Sequence, residues 1–482
     1  MNSVSRRSFL RQSACAAVGT ASIASTVWNL RAINNAAAQA LPYVSSSTDP
    51  NASETRALVC LFLYGGNDAN NFIVPRDATN YAAYAAARGP LALAQSSLLP
   101  ITTARPDPQG RLFGLHPNVP ELQALFNANA DPTLDHKLAI VANVGTLLYP
   151  TTKSQYLAGS IPLPPQLFSH ADQQIEWQTS IPDQPARSGW GGRLADLLTS
   201  FNQANAISMS ISLAGANTFQ IGNQVFQYQV GTDGSIGLNG TMGNDNSIRY
   251  QALQDLLNLP HQNLFEAEFA KITNRAIANN AILASALANV TINTVFPSRS
   301  TLASELLMIA KLIAARQTLG QRRQIFFCSV GGYDTHADEL NSHTALLAEL
   351  SASISAFYKA TVELGIQDRV TLFTASDFGR TYQSNGAGSD HAWGSHALVL
   401  GGSVKGGDIY GTFPNLTLNG PDDIGEGRWV PTTSVDEYSG TLARWYGGSG
   451  LDLSSVLPNL GRFQHPDLGF MNPLAAPAPP PS

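Results

Sequence analysis

The 482-residue chain carries 13% charged residues, about half the usual share, with 28 Lys and Arg against 34 Asp and Glu for a formal net charge of −6. Charge this small and scattered offers no basic footprint for nucleic acid. No segment after the first 40 residues presents the run of about 18 apolar residues that a membrane span requires.

In chain order, "VSRRSFLRQSA" sets Arg6 and Arg7 ahead of Phe9 and Leu10. A weakly apolar, small-residue stretch from Cys15 to Leu30 follows, and Ala38 and Ala40 suit a signal peptidase. The pattern predicts a twin-arginine signal peptide over 1–40 and a Ser/Thr/Asn-rich linker over 41–56, hence a periplasmic or secreted protein exported already folded. An ordinary secretory signal is the alternative.

"ALVCLFLY" (57–64) is a short apolar run that stops at Gly65, which favours a buried strand over a helix. "LAIVANV" (138–144), "QIFFCSV" (324–330), "RVTLFTA" (369–375) and "HALVLGG" (396–402) repeat it. Between them, Thr301–Gln317 has helical spacing. Leu346, Leu347, Leu350, Ile354, Phe357, Tyr358 and Val362 form a second helical stripe, which Gly365 can cap. Buried strands alternating with amphipathic helices predict an α/β fold, a mostly parallel central sheet with helices on both faces. Around "QVFQYQVGTDG", Phe226, Tyr228 and Val230 alternate with Gln227 and Gln229, so 207–247 reads as a small β-rich insertion, a polar-faced hairpin over the sheet edge. The Pro-rich tail, 471–482, reads as disordered. Cys15 leaves with the signal. Cys60 and Cys328 lie inside strands, as buried thiols or as a bridge between neighbours.

In open α/β sheets the ligand site lies beyond the carboxyl ends of the strands. There Tyr64 runs into "GGNDANN", Val330 into "GGYDTHAD" and Ala375 into "SDFGRT", while "NGAGSDHAWGSH" leads into the His396 strand. These turns supply Asp68, Asp334, His336, Asp377, Asp390, His391 and His396, and four of the nine histidines fall between His336 and His396. Carboxylates that neutralise charge and imidazoles that give directional bonds are what a divalent cation needs. Residues two apart on an extended chain share a face, so Asp334 and His336 can reach one ion. Asp and Gly are also ordinary turn residues, which is the competing explanation. Asp338, Glu339 and His343 read as the solvated start of the next helix. Ser169, before a helical stretch and beside His170, reads as an N-cap. Arg380 reads as an oxyanion clamp or as an internal ion pair.

The twin-arginine signal together with "LFLYGGNDANN", "FSHADQQIEWQT", "GGYDTHAD", "SDFGRT" and "DHAWGSHALVLGGSVKGGDIYGTFP" resembles a bacterial family of exported proteins of unknown function, a distant branch of the alkaline phosphatase and sulfatase-like superfamily. The resemblance covers nearly the whole chain after the signal. It implies one alkaline phosphatase-like domain over 57–470 and a two-metal site for phosphate or sulfate esters. On that pattern Asp68 resembles the first-motif aspartate and Asp377 the aspartate of an Asp-His-Gly motif. Asp334 and His336, with His391 or His396, resemble the ligands of the other metal. The sequence departs from the pattern where Phe378 replaces histidine, where Asp334 and His336 stand unusually close, and where Asp68 comes a few residues late. Asp390 and His391 can compensate, and the number of ions, two, one or none, stays open.

The expectation is therefore a metal-dependent hydrolase of a phosphate, sulfate or related ester on a small molecule or polymer, with zinc, manganese or calcium as the divalent metal. Ser169 or an activated water would attack. The alternative is a catalytically degenerate relative with an envelope binding or assembly role and an envelope protein as partner. A metal-free serine esterase is disfavoured, since no Gly-x-Ser-x-Gly elbow occurs.

Overall fold

The computed structural model describes residues 55–202, 207–235, 244–448 and 450–473. The expected signal over 1–40, nearly all of the 41–56 linker, part of the 207–247 segment and the tail after Pro473 lie outside the described residues.

The apolar run at the start forms the strand Arg56–Leu63, every residue of it buried. It sits mid-sheet between Arg323–Val330 and Val370–Ser376, parallel to both. Its side chains alternate between two layers. Ala57, Val59, Leu61 and Leu63 face a core shared with the helices Thr301–Ala314 and Glu339–Glu363. Leu58, Cys60 and Phe62 face a core shared with Trp190–Leu198 and Val435–Gly447. Coverage on both faces is why the strand is continuously apolar rather than alternating. It also separates the two thiols. Cys60 stands beside Phe327 in one layer and Cys328 beside Leu61 in the other, so both are buried and free.

Register places the site. Leu63 is level with Ser376 on one side and Val330 on the other, so three loops leave the same sheet edge together. Ser395–Leu400 runs antiparallel to Val370–Ser376 and to Leu138–Gly145, so its beginning, not its end, reaches that edge. At this end of the sheet the strands are thus parallel apart from the reversed Ser395–Leu400, and the turn preceding that strand faces the others.

At the opposite flank Ser210–Ser212 and Tyr228–Gly231 add parallel strands to the same sheet, and Gly234–Ser235 turns back on the latter. Tyr228 and Val230 are buried as their alternation implies. Gln227 and Gln229, expected on an open polar face, are buried as well, and Gln227 Oε1 accepts from Asn217 N at 3.2 Å in the loop that packs on it. A separate antiparallel sheet of Ile73–Pro75, Leu99–Ile101 and Phe113–Leu115 has strands too short to show any alternation in sequence. Among the described residues no helix is long and apolar enough to cross a membrane.

Candidate metal centre

The loops at the sheet edge lie close enough that side chains have no room between their backbones. Gly65 has φ +117°, and a Cβ there would stand 2.4 Å from Asp334 N. Only glycine lets the first loop pass beneath the Asp334 loop.

Asp334 is the hub. Its Oδ1 lies 3.0 Å from His336 Nε2, 3.2 Å from His391 Nε2 and 2.8 Å from Arg380 Nη1, and its Oδ2 lies 3.5 Å from His170 Nε2. The His336 and His391 Nε2 atoms are 3.0 Å apart. The two-residue spacing of Asp334 and His336 does bring both to one point, and the turn before the reversed strand delivers His391 to it.

Each imidazole is oriented through its other nitrogen. His170 opens the helix His170–Thr179, and its Nδ1 is 2.6 Å from Asp377 Oδ2, which also accepts from Gln174 Nε2 at 2.9 Å. His391 Nδ1 is 2.8 Å from the Phe168 carbonyl oxygen, an atom that can only accept. His336 Nδ1 is 2.9 Å from Asp390 Oδ1. The Phe168 carbonyl at His391 and the close Asp377 carboxylate at His170 assign those two protons to Nδ1 and leave lone pairs on their Nε2 atoms, whereas His336, with a carboxylate oxygen about 3 Å from each ring nitrogen, can carry its proton on either.

The Nε2 lone pairs of His170 and His391 thus face the Asp334 carboxylate, and His336 joins them with its proton on Nδ1, the arrangement that a cation among them would stabilise. Protonating the rings is an uphill alternative at His391, where burial pulls the pKa below the usual histidine range despite the opposing hydrogen bonds to Phe168 and Asp334. Burial raises the Asp334 carboxyl, but the hydrogen bond and charge of Arg380, with His391 and His336, outweigh it and hold the group below its ordinary value. Asp334 is therefore an anion at neutral pH. Ligand atoms about 2.0–2.1 Å from a tetrahedral ion stand about 3.3 Å apart; His170, Asp334 and His391 offer ligand atoms within 4.8 Å of one another, and His336 Nε2 adds to this group at 3.0 Å from both Asp334 Oδ1 and His391 Nε2. His170 Nε2 is buried and makes no hydrogen bond, as a ligand atom held for an ion would be. The donor set fits a divalent metal.

The other residues singled out in the sequence lie around this point in different ways. Asp377 is buried beneath His170, with its Oδ1 making no hydrogen bond. Asp390 lies on the open side; burial raises its carboxyl, yet Asn385 and His336 bring it below its usual value. Arg380 is buried with its guanidinium committed inward. Nη1 donates to Asp334 and to Gly65 O at 3.1 Å, Nη2 to Ser389 O, and Nε to Ser389 Oγ at 3.5 Å. Ser169 precedes the His170 helix but makes no capping bond, since its Oγ donates to Asp172 Oδ2 at 2.5 Å.

Two residues are kept out of the cluster. Asp68 is wholly buried against Arg88 Nη2 at 2.5 Å, and the same nitrogen holds Glu339 Oε1 at 2.9 Å. Arg88 outweighs burial to keep Asp68 below the usual range, while burial and the neighbouring Asp68 push Glu339 up to about 8. His396 accepts from Asn143 N at Nδ1, 2.9 Å, and stacks on Phe413 at 4.5 Å, with burial pushing its pKa down to about 3. Glu339 and His343, expected at a solvated helix start, are buried; the helix begins against the Asn67 loop, where His343 Nε2 meets Asn67 Oδ1 at 3.0 Å. Asp338 alone keeps the exposed position expected of that start.

Phe378, the position where the resembled motif has histidine, packs beside the cluster with ring centroids 4.8 Å from His170 and 4.5 Å from His391. It backs the two ligand rings with an apolar wall. In the sequence His170 stands out only as the neighbour of Ser169. The available signal was a histidine at the first position of a helix, with Gln174 one turn on.

No curated protein matches the chain. Among solved structures it is similar to Ps i-CgsB in complex with k-i-k-neocarrahexaose, at 9% identity over 84% of this chain and 74% of that one, TM-score 0.31. It is similar to the C-terminal periplasmic domain of EcEptC from Escherichia coli, at 12% identity over 87% and 90%, TM-score 0.32. A protein in the alkaline phosphatase superfamily from Vibrio parahaemolyticus gives 10% identity over 86% and 73%, TM-score 0.33. Likeness at this level assigns no activity. Residues 55–424, well over half of the chain, match a sequence family, and the chain belongs to that family, described as protein of unknown function (DUF1501).

Proposed function

We propose that this chain is an exported hydrolase of phosphate or sulfate esters built on a single divalent metal. The observation that carries the reading is the convergence of His170, His336 and His391 Nε2 on Asp334, with every Nδ1 already held by an acceptor. Three imidazoles and a carboxylate favour zinc over calcium, with manganese between them. When bound, such an ion supplies Lewis acidity that polarises the ester oxygen. Asp377, Asp390 and the Phe168 carbonyl orient the three rings, and Arg380 fixes Asp334 through Oδ1. Asp390, half exposed beside His336, is placed to take a proton from an attacking water. Ser169, within one turn of His170, is the alternative attacking group once its hydroxyl leaves Asp172.

A second ion has no place in this reading. Arg88 already neutralises Asp68 and also holds Glu339, and Phe378 removes a ligand beside Asp377. These same departures favour the other reading, a non-catalytic envelope protein. One experiment separates the two. Protein purified without chelator is assayed on aryl phosphate and aryl sulfate before and after metal removal, beside Asp334→Ala and His170→Ala. Turnover that vanishes on chelation, returns with zinc and is lost in both variants supports the hydrolase. A fully loaded protein that turns over neither ester favours the envelope role, and turnover indifferent to chelation contradicts the metal centre.

A further inference from the structure

A cleft of about 450 Å³ opens onto the cluster, lined by His336, Asp390 and His391 together with Tyr156, Phe168, Ile424 and Arg428. Arg428 is the cation of this wall, and the chain holds it rigidly. Its Nε donates to His391 O at 2.9 Å, its Nη1 to Gly425 O at 3.4 Å, and its guanidinium carbon lies 5.6 Å from the Phe168 ring centroid. The turn beneath it is equally fixed. Gly425, Glu426 and Gly427 all have positive φ, and Asp423 Oδ1 accepts from the N–H groups of both glycines, at 2.7 and 2.8 Å.

The remaining nitrogen, Nη2, pairs at 2.7 Å with Glu426, whose side chain is 57% exposed. A pair this open contributes little to stability, so an incoming anion can displace the glutamate at small cost. Arg380, by contrast, is buried with its donors committed to Asp334, Gly65 and Ser389. Of the two arginines nearest the cluster, Arg428 is the one that a ligand in the cleft can reach.

Resting on the metal-hydrolase reading, we propose that Arg428 binds the ester's anionic oxygens and that Tyr156, Phe168 and Ile424 receive a flat, apolar alcohol half. The preferred substrate class is then an aryl or other ring-bearing phosphate or sulfate ester rather than the ester of a short polyol. The planar guanidinium fork matches tetrahedral oxyanions in a way a lysine ammonium does not.

The test uses zinc-loaded protein, inorganic phosphate as the probe, and calorimetry on wild type, Arg428→Gln and Arg428→Lys, with zinc per chain measured for each. Binding of phenyl phosphate and glycerol phosphate is compared in parallel. The expected result is full zinc in all three proteins, phosphate bound at least tenfold more weakly by Arg428→Gln, an intermediate loss in Arg428→Lys, and phenyl phosphate preferred about tenfold over glycerol phosphate by wild type. Phosphate affinity within twofold of wild type in both variants, with zinc retained, overturns the role of Arg428. Equal affinity for the two esters overturns the assigned substrate class. Wild-type protein that takes up no zinc, or binds zinc but no phosphate, overturns the hydrolase reading and this proposal with it, an outcome distinct from failure of Arg428 alone. Should Arg428→Gln lose zinc or unfold, the comparison of Arg428→Lys with wild type decides.

Discussion

Asp377 acts on the centre through His170. Its Oδ2 accepts hydrogen bonds from His170 Nδ1 and from the Gln174 amide, which turns the Nε2 lone pair toward Asp334. Outer carboxylates of this kind tune affinity rather than create it. Asp377→Ala should therefore keep the fold and weaken zinc binding by about 10–100-fold in competition with a chromogenic chelator, whereas Asp334→Ala should abolish binding. Affinity unchanged in Asp377→Ala would remove Asp377 from the account. Spacing made Asp334 and His336 legible as a pair, because two residues apart on extended chain means one side of it. Burial was not legible. Asp68 and His396 carry the same donor atoms as the residues in the cluster, but one is neutralised by Arg88 and the other accepts from a backbone amide.

At the scale of elements, the strands were readable because coverage on both faces leaves continuous apolar runs ending at glycine or polar turns. Strand direction was not, since an apolar run reads the same in either sense, and the reversal of Ser395–Leu400 is what brings His391 to the edge. The loop after the first strand also depends on close approach. Gly66 has φ +84°, and a Cβ there would lie 2.6 Å from the Phe378 ring. Gly66→Ala should displace Phe378 from behind His170 and His391, lowering stability by about 1–3 kcal/mol and reducing zinc occupancy. Gly331→Ala is the matched control, because nothing lies within 4 Å of its added Cβ. Equal thermal midpoints and equal zinc for the two variants would contradict this reading of the loop.

Across the whole molecule, low charge goes with a large two-layered core, and a few ionisable groups are enclosed within it. Burial, the main cause in each case, pushes Glu176 up to about 8 and both Glu305 and Asp436 up to about 7. Such groups bind protons more tightly folded than unfolded. Their contribution is complete below the unfolded carboxyl values and is lost as pH rises through about 7 to 8. His116, His343 and His396, pushed by burial down to about 4, 4 and 3, act on the other flank; their contribution is present above the unfolded histidine value and is lost as pH falls. Thermal midpoints of metal-free protein should fall between pH 5.5 and 8.5, and Glu305→Gln should flatten that decline while keeping an acceptor for Ser329 N. A decline of the same steepness in wild type and Glu305→Gln would show that Glu305 titrates normally. None of these shifts was visible in the sequence, where buried and exposed glutamates look alike.

The central claim is one ion held by three imidazoles and Asp334. X-ray absorption at the zinc edge, with zinc per chain determined on the same sample, tests it most directly. One zinc per chain with about three imidazole ligands is expected, falling to two imidazoles or to loss of zinc in His170→Ala. Two ions per chain, or a single ion whose spectrum shows at most one imidazole and does not change in His170→Ala, would contradict it.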